Sequence, residues 1–504
     1  MRCLHTWVGQ RVGSFCLSAA GTHLQSANWD DMSGLQEIGA FRHRASLRLG
    51  RLTASAESFA SAARYAAALS AARSASDAGD ATQVCQCLRR ARQNPLYRRA
   101  ARAVQEWGEL YAKLRRRGLA DCWLVWSAPN AIAGAICLSA DGRYALSVRG
   151  SSIQLWDAGS GLCLRTFEGH TAQVNSVCLS ADGRYAMSGS DDKTSKLWDA
   201  ESGGCLRTFV SGSRVASVCL SGNGRFALVG SKDNTLKLWE VESGGCLKTL
   251  LSGSRVASAC LNGNGRFALA GSKDKTLKLW EVESGRCLRT FEGHTELITS
   301  VSLSADGRYG LSASRDKTLK LWELETGRCL RTFEGHADHL LSACLSADGR
   351  YALSGSWDKT VKLWELKSGN CLRTLEHESG VTFVGLSADG RHAVSACKTG
   401  TLTAWFLDWD LEENEPADWD EGARPYLVVF LSAHQPCGVA LPKDRQRTDE
   451  DVKLAIERPD RPLWSDDDFK SVLYTLGCAG YGWLRPEGVR RELERMTAEW
   501  REAQ

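Results

Sequence analysis

The chain has 504 residues, of which 43% are hydrophobic, and its 63 Lys and Arg against 59 Asp and Glu leave a formal net charge of +4. This length allows several domains, and the near balance of charge gives no reason to expect a nucleic-acid or membrane partner. No stretch of about 18 consecutive apolar residues indicates a membrane span, and the first residues lack the apolar block of a signal peptide.

The cysteine pattern argues against a disulfide framework. An odd total of 19 cysteines, with no secretion signal, predicts a protein of the reducing cytoplasm. Most cysteines recur in two phrases, CL(R/K)T and CLS or CLN, and equivalent cysteines of successive repeats are expected to be too far apart for bridging. We interpret them as small core residues. Cys85 and Cys87 form an isolated CxC without the second pair that a closed zinc site needs.

Residues 1–40 are interpreted as a degenerate fragment of a repeat that recurs further along the chain. Phe15-Cys16-Leu17-Ser18 matches a strand phrase of that repeat, and Trp29-Asp30 stands where a turn would follow. The last strand of the repeat is not recognisable in this region. We therefore predict an orphan fragment of one repeat.

Residues 53–118 form an Ala- and Arg-rich segment that predicts three helices. The first helix is expected from about Ser55 to Ser76, and Asp80 is placed to cap the second. Pro95 suits the first turn of a third helix, whose apolar side chains recur at helical spacing as far as Leu114. Gly118 is the expected end of this helix.

Nine arginines of the helical segment raise the alternative of a nucleic-acid contact face. They are Arg89, Arg90, Arg92, Arg98, Arg99, Arg102, Arg115, Arg116 and Arg117. Phosphate binding needs the charges on one coherent face, and no nucleic-acid-binding motif accompanies them. A solvated helix surface is therefore the preferred interpretation.

Residues 121–406 contain a repeat marked by a Leu-Trp or Ala-Trp pair. The tryptophans recur at intervals of 41 or 42 residues, at Trp156, Trp198, Trp239, Trp280, Trp322, Trp364 and Trp405. Each unit shows four short strand patterns, named a to d here, with an Asp-Gly or Asn-Gly turn between a and b. A period of about 40–45 residues with four strands is typical of a propeller blade, so the repeat predicts seven blades.

The ends of the repeat region predict how the ring closes. Blade 7 supplies strands a, b and c as far as Trp405, but no CLRTF-like strand follows. The residues from Cys122 to Trp126, just before blade 1, have the character of a strand d. We expect them to complete blade 7 from the amino-terminal side, because this pairing removes a free edge strand.

Residues 411–504 are predicted to form a small, mostly helical domain. Its first part is acidic, and Ser465 and the carboxylates that follow it suit a helix amino terminus. Pro486 is expected to open a last helix that runs through Trp500. The predicted core of this domain consists of Phe469, Val472, Leu473, Leu476, Val489, Leu493 and Met496.

The recurring phrases of residues 121–406 resemble the WD-repeat (WD40) propeller family. The resemblance implies a buried network in each blade, made by a His in the d–a loop, a Ser or Thr on strand b, an Asp in the b–c turn and the Trp of strand c. The matching residues are His170, Asp192 and Trp198 in blade 2, His294, Asp316 and Trp322 in blade 5, and His336, Asp358 and Trp364 in blade 6. The other blades lack one or more members, and all of these residues are expected to be structural.

The resemblance also implies a binding face, because family members bind proteins or peptides mostly on the side of the d–a and b–c loops. The residues before the turn Asp should project there: Arg149, Asp191, Lys232, Lys273, Arg315, Trp357 and Lys398. Five are cationic, and Trp357 is a large aromatic side chain of the kind that anchors interfaces. Ordinary solvated loop residues are the alternative, whereas a basic rim would favour an acidic peptide or protein.

The predicted function is that of a non-enzymatic scaffold for protein–protein interaction in bacterial signalling or effector sensing. The helical flanks resemble those of large bacterial WD-repeat proteins, but no kinase loop or P-loop is present. No catalytic residue, metal site or cofactor is assigned. The first alternative is an enzyme with activity in the carboxy-terminal domain, and the second is nucleic-acid binding through the Arg-rich helices.

Overall fold

A computed structural model describes residues 14–17, 23–27, 35–37, 56–78, 80–92, 106–107, 110, 114–128, 134–180, 183–221, 224–263, 265–304, 307–347, 349–388, 390–412, 417–433, 464, 466–478 and 481–502. The chain divides into two compact units. One comprises Met1–Leu114 with Glu413–Glu415, and the other comprises Arg115–Glu412 with Pro416–Gln504.

The first unit contains a small sheet and a helical pair. Strands β1, β2 and β3 (Ser14–Leu17, His23–Ala27 and Leu35–Glu37) pair antiparallel in sequential order. Helices α1 (Ala56–Asp77) and α2 (Ala81–Arg92) follow, and Asp80 caps α2 by accepting a hydrogen bond of 2.9 Å from the Gln83 amide. Most of the predicted third helix lies outside the described residues.

The second unit is a seven-bladed β-propeller, with a few helices after it. Blade 1 consists of Ile136–Leu138, Tyr144–Arg149, Ser152–Asp157 and Cys163–Phe167; blade 2 of Val174–Leu179, Tyr185–Ser190, Thr194–Asp199 and Cys205–Val210; and blade 3 of Val215–Leu220, Phe226–Ser231, Thr235–Glu240 and Cys246–Leu251. Blade 4 consists of Val256–Leu261, Phe267–Ser272, Leu277–Glu281 and Cys287–Phe291; blade 5 of Ile298–Leu303, Tyr309–Ser314, Leu319–Glu323 and Cys329–Phe333; and blade 6 of Leu340–Leu345, Tyr351–Ser356, Thr360–Glu365 and Cys371–Glu376. Blade 7 consists of Val381–Leu386, His392–Cys397, Leu402–Glu412 and Arg115–Ala128.

Within each blade the strands pair antiparallel in the order a, b, c, d, and the seven a strands contact one another in a closed ring. The glycine of every a–b turn has a positive φ between 61° and 72°, which is the conformation that a tight turn demands here. The fifth residue of strand b is small in most blades, as Gly189 is in blade 2, because the next blade packs closely against it. A Cβ atom added to Gly189 would lie 2.4 Å from Val215 Cγ1.

The ring closes as predicted, by pairing of Arg115–Ala128 with Leu402–Glu412, and its register differs from that of the other blades, where the strand-c Trp lies opposite the Cys of strand d. Leu124 rather than Cys122 lies opposite Trp405. Both strands are also longer than expected, so residues 115–118 belong to a strand and not to the end of a helix. The long antiparallel partner supplies backbone hydrogen bonds that outweigh the helix propensity of three arginines.

A polar clasp links the outer strands of successive blades. The Arg or Lys in the middle of strand d reaches a backbone carbonyl in the c–d turn of the next blade, as Arg165 does with the Ser202 carbonyl at 3.1 Å and Arg331 does with the Lys367 carbonyl at 3.0 Å. At the closing boundary Trp126 takes this position. Its indole N–H donates to the Ala158 carbonyl at 2.7 Å, and its ring stacks 6.2 Å from that of Trp156.

The cysteines of the outer strands were interpreted as core residues, and this interpretation is wrong. All six are exposed: Cys163, Cys205, Cys246, Cys287, Cys329 and Cys371. Strand d has a neighbour on one side only, so most of its side chains contact solvent. The fifth residue of strand d turns inward, as Phe167 does at 1% exposure and Phe209 at 2%.

The carboxy-terminal part contains helices α3 (Arg424–Ala433), α4 (Asp466–Cys478) and α5 (Pro486–Glu502), preceded by a short 3₁₀ helix, Glu421–Ala423. The predicted core residues share one buried apolar cluster, in which Leu473 is only partly buried. Asp418 forms ion pairs with Arg485 at 3.1 Å and with Arg491 at 2.6 Å. Among the described helices, none is long and apolar enough to cross a membrane.

Replacing Trp126 by Ala is expected to lower the free energy of unfolding by about 2–3 kcal/mol, because it removes the stacking and the hydrogen bond that join blades 7 and 1. Chemical denaturation of the full chain measures the change. Arg331→Ala, at the same position between blades 5 and 6, is the control and should cost less than about 1 kcal/mol because its clasp is exposed to solvent. Equal effects of the two substitutions would contradict a special role for Trp126 in closure.

Candidate protein-interaction face

The d–a loops and the b–c turns emerge on one face of the propeller, because the four strands of each blade alternate in direction. In blades 2 to 6 the b–c turn places a non-glycine residue in the left-handed region, such as Lys193 with φ of 69° and Lys359 with φ of 69°. The Asp before this residue stabilises the turn. The Asp192 carboxylate accepts hydrogen bonds from the Thr194 amide at 2.9 Å and from the Thr194 hydroxyl at 2.6 Å.

Blades 2, 5 and 6 each contain a complete buried network beneath this face. In blade 2, His170 Nδ1 lies 2.7 Å from Asp192 Oδ2, His170 Nε2 lies 2.8 Å from Ser188 Oγ, and the Trp198 indole N–H donates to Ser188 Oγ at 2.8 Å. The same three distances are 2.7, 2.7 and 2.9 Å for His294, Asp316, Ser312 and Trp322, and 2.7, 2.8 and 2.8 Å for His336, Asp358, Ser354 and Trp364.

The ionisation of the network follows from its surroundings. Burial lowers the pKa of His170 and of His336 in spite of their carboxylate partners, so both imidazoles are neutral at pH 7. Burial alone would raise the pKa of Asp192, but hydrogen bonds from Thr194, His170 and backbone amides lower it to about 2. A neutral His beside a carboxylate must carry its proton on Nδ1, and Nε2 then accepts a hydrogen bond from the serine hydroxyl.

Blade 7 keeps its His but lacks the Asp. His377 Nε2 lies 3.1 Å from Ser395 Oγ, and the Cys397 thiol contacts His377 Nδ1 at 3.2 Å. Burial lowers the pKa of His377 to about 4. Blade 1 retains only the pair in which the Trp156 indole donates to Ser147 Oγ at 2.8 Å. In blade 7 a thiol therefore contacts the ring nitrogen that a carboxylate contacts in the complete blades.

Blades 3 and 4 have lost the His and the strand-b Ser together. Val229 and Ala270 stand where Ser188 stands in blade 2, and the buried Trp239 indole N–H has no hydrogen-bond partner. The ammonium of Lys237 donates to the Ser211 carbonyl in the d–a loop at 2.7 Å, and Lys278 does the same with Ser252 at 2.5 Å. A lysine therefore supports each of these two loops.

The structure does not bring all seven predicted face residues together. Asp191 and Lys232 pair across blades 2 and 3 at 2.7 Å, and Asn175 donates to the same carboxylate at 2.7 Å. These hydrogen bonds outweigh burial and lower the pKa of Asp191. Arg149, Lys273 and Arg315 are exposed on separate blades. The predicted basic rim is thus interrupted by an internal ion pair.

Trp357 and Lys398 lie in one cluster with a residue that sequence reasoning passed over, His339. The Trp357 side chain is 45% exposed, with the Lys398 ammonium 5.7 Å from its ring and the His339 ring 6.2 Å away. His339 Nδ1 lies 2.6 Å from the Arg315 carbonyl oxygen. His339 directly precedes strand a of blade 6, and the pairing of that strand with strand b places it beside Trp357. Its contact with Arg315, in the b–c turn of blade 5, is not indicated by the sequence nearby.

The described residues offer little for metal or nucleophile chemistry. No group of three or more His, Cys, Asp or Glu side chains in the described ranges is placed to hold a metal ion. Cys85 and Cys87 are buried, and burial raises the pKa of the strand-a thiol of Cys137 to about 11 and that of Cys344 to about 12. These thiols are protonated at neutral pH and are poor nucleophiles.

A seven-bladed ring with these networks defines a β-propeller of the kind that usually serves as a protein-interaction scaffold. The family model for the WD domain, G-beta repeat (WD40) matches residues 161–199, 203–240, 244–281, 285–323, 327–365 and 369–405. The chain belongs to the WD40 propeller family. A comparison with curated proteins finds no match.

Each matched stretch contains strand d of one blade and strands a to c of the next. The seventh such unit, which would join Arg115–Ala128 to the first three strands of blade 1, is not matched. Blade 1 has the least complete network of the blades that keep the strand-b Ser, since only Ser147 and Trp156 pair there. The missing sequence signal therefore coincides with missing polar residues and not with a missing blade.

Replacing Asp316 by Ala is expected to lower the free energy of unfolding by about 2–4 kcal/mol, since it leaves the buried His294 N–H without its acceptor. Asp274→Ala, at the equivalent place in blade 4, is the matched control. Asp274 is exposed and accepts hydrogen bonds only from Thr276 among the described residues, so its loss should cost less than about 1 kcal/mol. Thermal and urea unfolding of both variants measures the difference, and similar losses would contradict the role of the network.

Lowering the pH is expected to destabilise blade 7 through His377. Because its folded pKa of about 4 lies below the unfolded value of about 6.5, the unfolded state binds more protons between these values. Stability is therefore full above pH 6.5 and falls as the pH drops to 4, by at most about 3 kcal/mol. Thr399→Asp places a carboxylate at the position of Asp192 and should raise the His377 pKa and reduce this loss. An unchanged pH dependence of unfolding in Thr399→Asp would contradict this account.

Proposed function

We propose that the chain is a non-enzymatic scaffold that binds a protein or peptide on the face of the d–a loops and b–c turns. The observation that carries the proposal is the cluster of Trp357, His339 and Lys398 on that face. The exposed half of the tryptophan ring is apolar surface in contact with water, and burial of this surface by a partner would favour binding. The blade 7 backbone packs closely against the tryptophan, since a Cβ atom added to Gly380 would lie 3.1 Å from Cδ1 of the Trp357 ring.

The charge around the cluster favours an acidic partner. Lys398 lies against the Trp357 ring, and the exposed Arg315 and Lys273 follow on the neighbouring blades. Opposite charges on a partner would orient it and raise its association rate. Asp191 and Lys232 neutralise each other. We therefore propose that these two residues contribute little to the attraction of an acidic partner. The proposed binding residues are thus Trp357, His339, Lys398, Arg315 and Lys273.

We further propose that this scaffold acts in the cytoplasm in bacterial signalling or effector sensing. The resemblance of the helical flanks to those of large bacterial WD-repeat proteins supports this setting. The free state of the cysteines in the described residues supports a reducing compartment. The division into a fragment at 1–40, a helical segment at 53–118, the propeller at 121–406 and a helical domain at 411–504 is proposed with it.

Affinity purification from the native host, with mass spectrometry of the captured proteins, tests the binding face. Trp357→Ala, alone and with Lys273→Glu, is expected to lose the partner that the wild-type chain captures, with at least about tenfold weaker binding in a direct titration. Unchanged capture by the double variant would overturn the proposal.

The matched control is Tyr474→Ala. Tyr474 is 44% exposed on α4, close to the 45% of Trp357, so this variant loses a similar aromatic surface from the carboxy-terminal helices. It should capture the partner as the wild type does. Equal melting temperatures for the three variants would exclude unfolding as the reason for lost binding.

A further inference from the structure

The d–a loops that enter blades 3 and 4 differ in polarity from the other d–a loops of this face. These two loops, residues 210–214 and 251–255, read VSGSR and LSGSR. Four of the other connections, those entering blades 2, 5, 6 and 7, have an acidic residue in place of the Val or Leu: Glu168, Glu292, Glu334 and Glu376. Strand pairing places Val210 opposite Thr194 and Leu251 opposite Thr235, as it places Glu376 opposite Thr360. The positions are therefore structurally equivalent.

The apolar side chains of these loops are strongly exposed. Val210 is 67% and Leu251 is 75% exposed, and no other large apolar side chain of the described residues exceeds 64%. A single exposed aliphatic residue is common on protein surfaces. Here two exposed aliphatic residues occur at the same structural position on adjacent blades. The loops that enter blades 2, 5, 6 and 7 have a glutamate at this position. The substitution removes a negative charge and adds apolar surface at each site.

Both loops are also cationic. The Arg214 side chain is 64% exposed, and its nearest carboxylate, Asp191, is 3.9 Å away and already bound by Lys232. Arg255 forms no ion pair with any residue that the structure describes. Lys237 and Lys278 bring an ammonium beneath each loop. The loops themselves contain no carboxylate, and Asp233 and Asp274 in the neighbouring turns accept hydrogen bonds from Thr235 and Thr276.

The contacts of the lysines beneath the loops follow from the loss of the network. Gly212 stands in the d–a loop where blade 2 has its His, and a Cβ atom there would lie 3.9 Å from the Lys237 ammonium. The corresponding distance for Gly253 and Lys278 is 3.0 Å. Without an imidazole to fill the space, the lysine reaches the loop carbonyl. The complete blades have a lysine at the same position, but there it donates to a strand-d threonine, as Lys196 does to Thr208 at 2.9 Å. The charge of the two loops therefore differs because Val210 and Leu251 replace a glutamate.

We propose that Val210, Arg214, Leu251 and Arg255 form a second docking surface, for a protein segment that combines carboxylates with apolar side chains. Charge complementarity selects the carboxylates, and the exposed aliphatic groups select apolar side chains. A single-stranded nucleic acid fits less well, because such ligands stack on aromatic residues and these loops contain none. This surface shares no residue with the Trp357 cluster, so the two can be tested separately.

The test selects peptides from a phage-displayed library of random 12-residue sequences on the immobilised full-length chain. The expected peptides combine Asp or Glu with Leu, Ile, Val or Phe. Their binding should weaken at least about tenfold in the double variant Val210→Glu/Leu251→Glu. Arg214→Ala/Arg255→Ala should weaken binding and reduce its dependence on salt, whereas Trp357→Ala should leave the affinity of these peptides unchanged.

The double variant has glutamate at two positions where four other connections of the propeller have glutamate naturally, so it should fold normally. An unchanged melting temperature would verify that it folds. The matched control is Leu206→Glu/Leu247→Glu. These leucines are 49% and 46% exposed on the outer strands of blades 2 and 3, and their replacement makes the same change in charge away from the loops. This control should bind the selected peptides as the wild type does.

Several results would overturn the proposal. One is a selection that yields no peptide above background, or only peptides without acidic residues. Another is equal binding of the selected peptides by the wild type and by Val210→Glu/Leu251→Glu. If Trp357→Ala alone abolishes their binding, the Trp357 face is the peptide site and the second surface is rejected. Binding of a 20-nucleotide single-stranded DNA that competes with the peptides and is insensitive to the Val and Leu substitutions would assign the loops to nucleic acid instead.

Discussion

The pairing of Arg115–Ala128 with Leu402–Glu412 is the contact on which the propeller depends. Six blades are made of consecutive strands, whereas this blade joins strands about 270 residues apart. Closing such a loop costs about 5 kcal/mol of chain entropy plus a constant. The closing ladder spans eleven residue pairs, against four or five between strands c and d of the other blades. Trp409, buried at 1% exposure and 4.3 Å from the Tyr351 ring, adds apolar contact at the extended end.

The polar network is distributed as the energetics of buried hydrogen bonds would favour. Removing one partner of a buried pair leaves the other unsatisfied, whereas removing both together can cost little. Blades 3 and 4 follow this rule in part, since the His and the strand-b Ser are absent together. Among the described residues of blade 3, the Trp239 indole N–H and the hydroxyls of Ser211 and Ser231 remain buried without a partner. In blade 7 the Asp alone is lost. The Cys397 thiol contacts Nδ1 of His377, the nitrogen that the Asp would otherwise bind.

Sequence periodicity predicted the blade number, the turns and the origin of the closing strand, because these depend on local alternation, turn glycines and a repeated Trp. The register of the closing strand could not be predicted. Cys122 matches the cysteine of the repeat, but the partner of Trp405 is Leu124. Exposure of the strand-d cysteines also follows from position at an edge, not from residue type. The Trp357 cluster brings together residues 18 and 41 positions away from Trp357. The a–b hairpin of blade 6 places His339 beside Trp357, whereas Lys398 comes from blade 7 and needs the packing of adjacent blades.

The two candidate surfaces differ in whether a complete buried network lies beneath them. The Trp357 turn belongs to blade 6, and blades 5 and 6 have complete buried networks, so the backbone that presents the tryptophan is held by hydrogen bonds beneath it. The loops entering blades 3 and 4 lack this support and are held by Lys237 and Lys278. The complete blades have Lys196, Lys320 and Lys362 at the position of Lys237 and Lys278, so the lysines give the two loops a different contact but no extra charge. The electrostatics of the face change in these two blades because Val210 and Leu251 replace a glutamate, while the seven-bladed ring is kept.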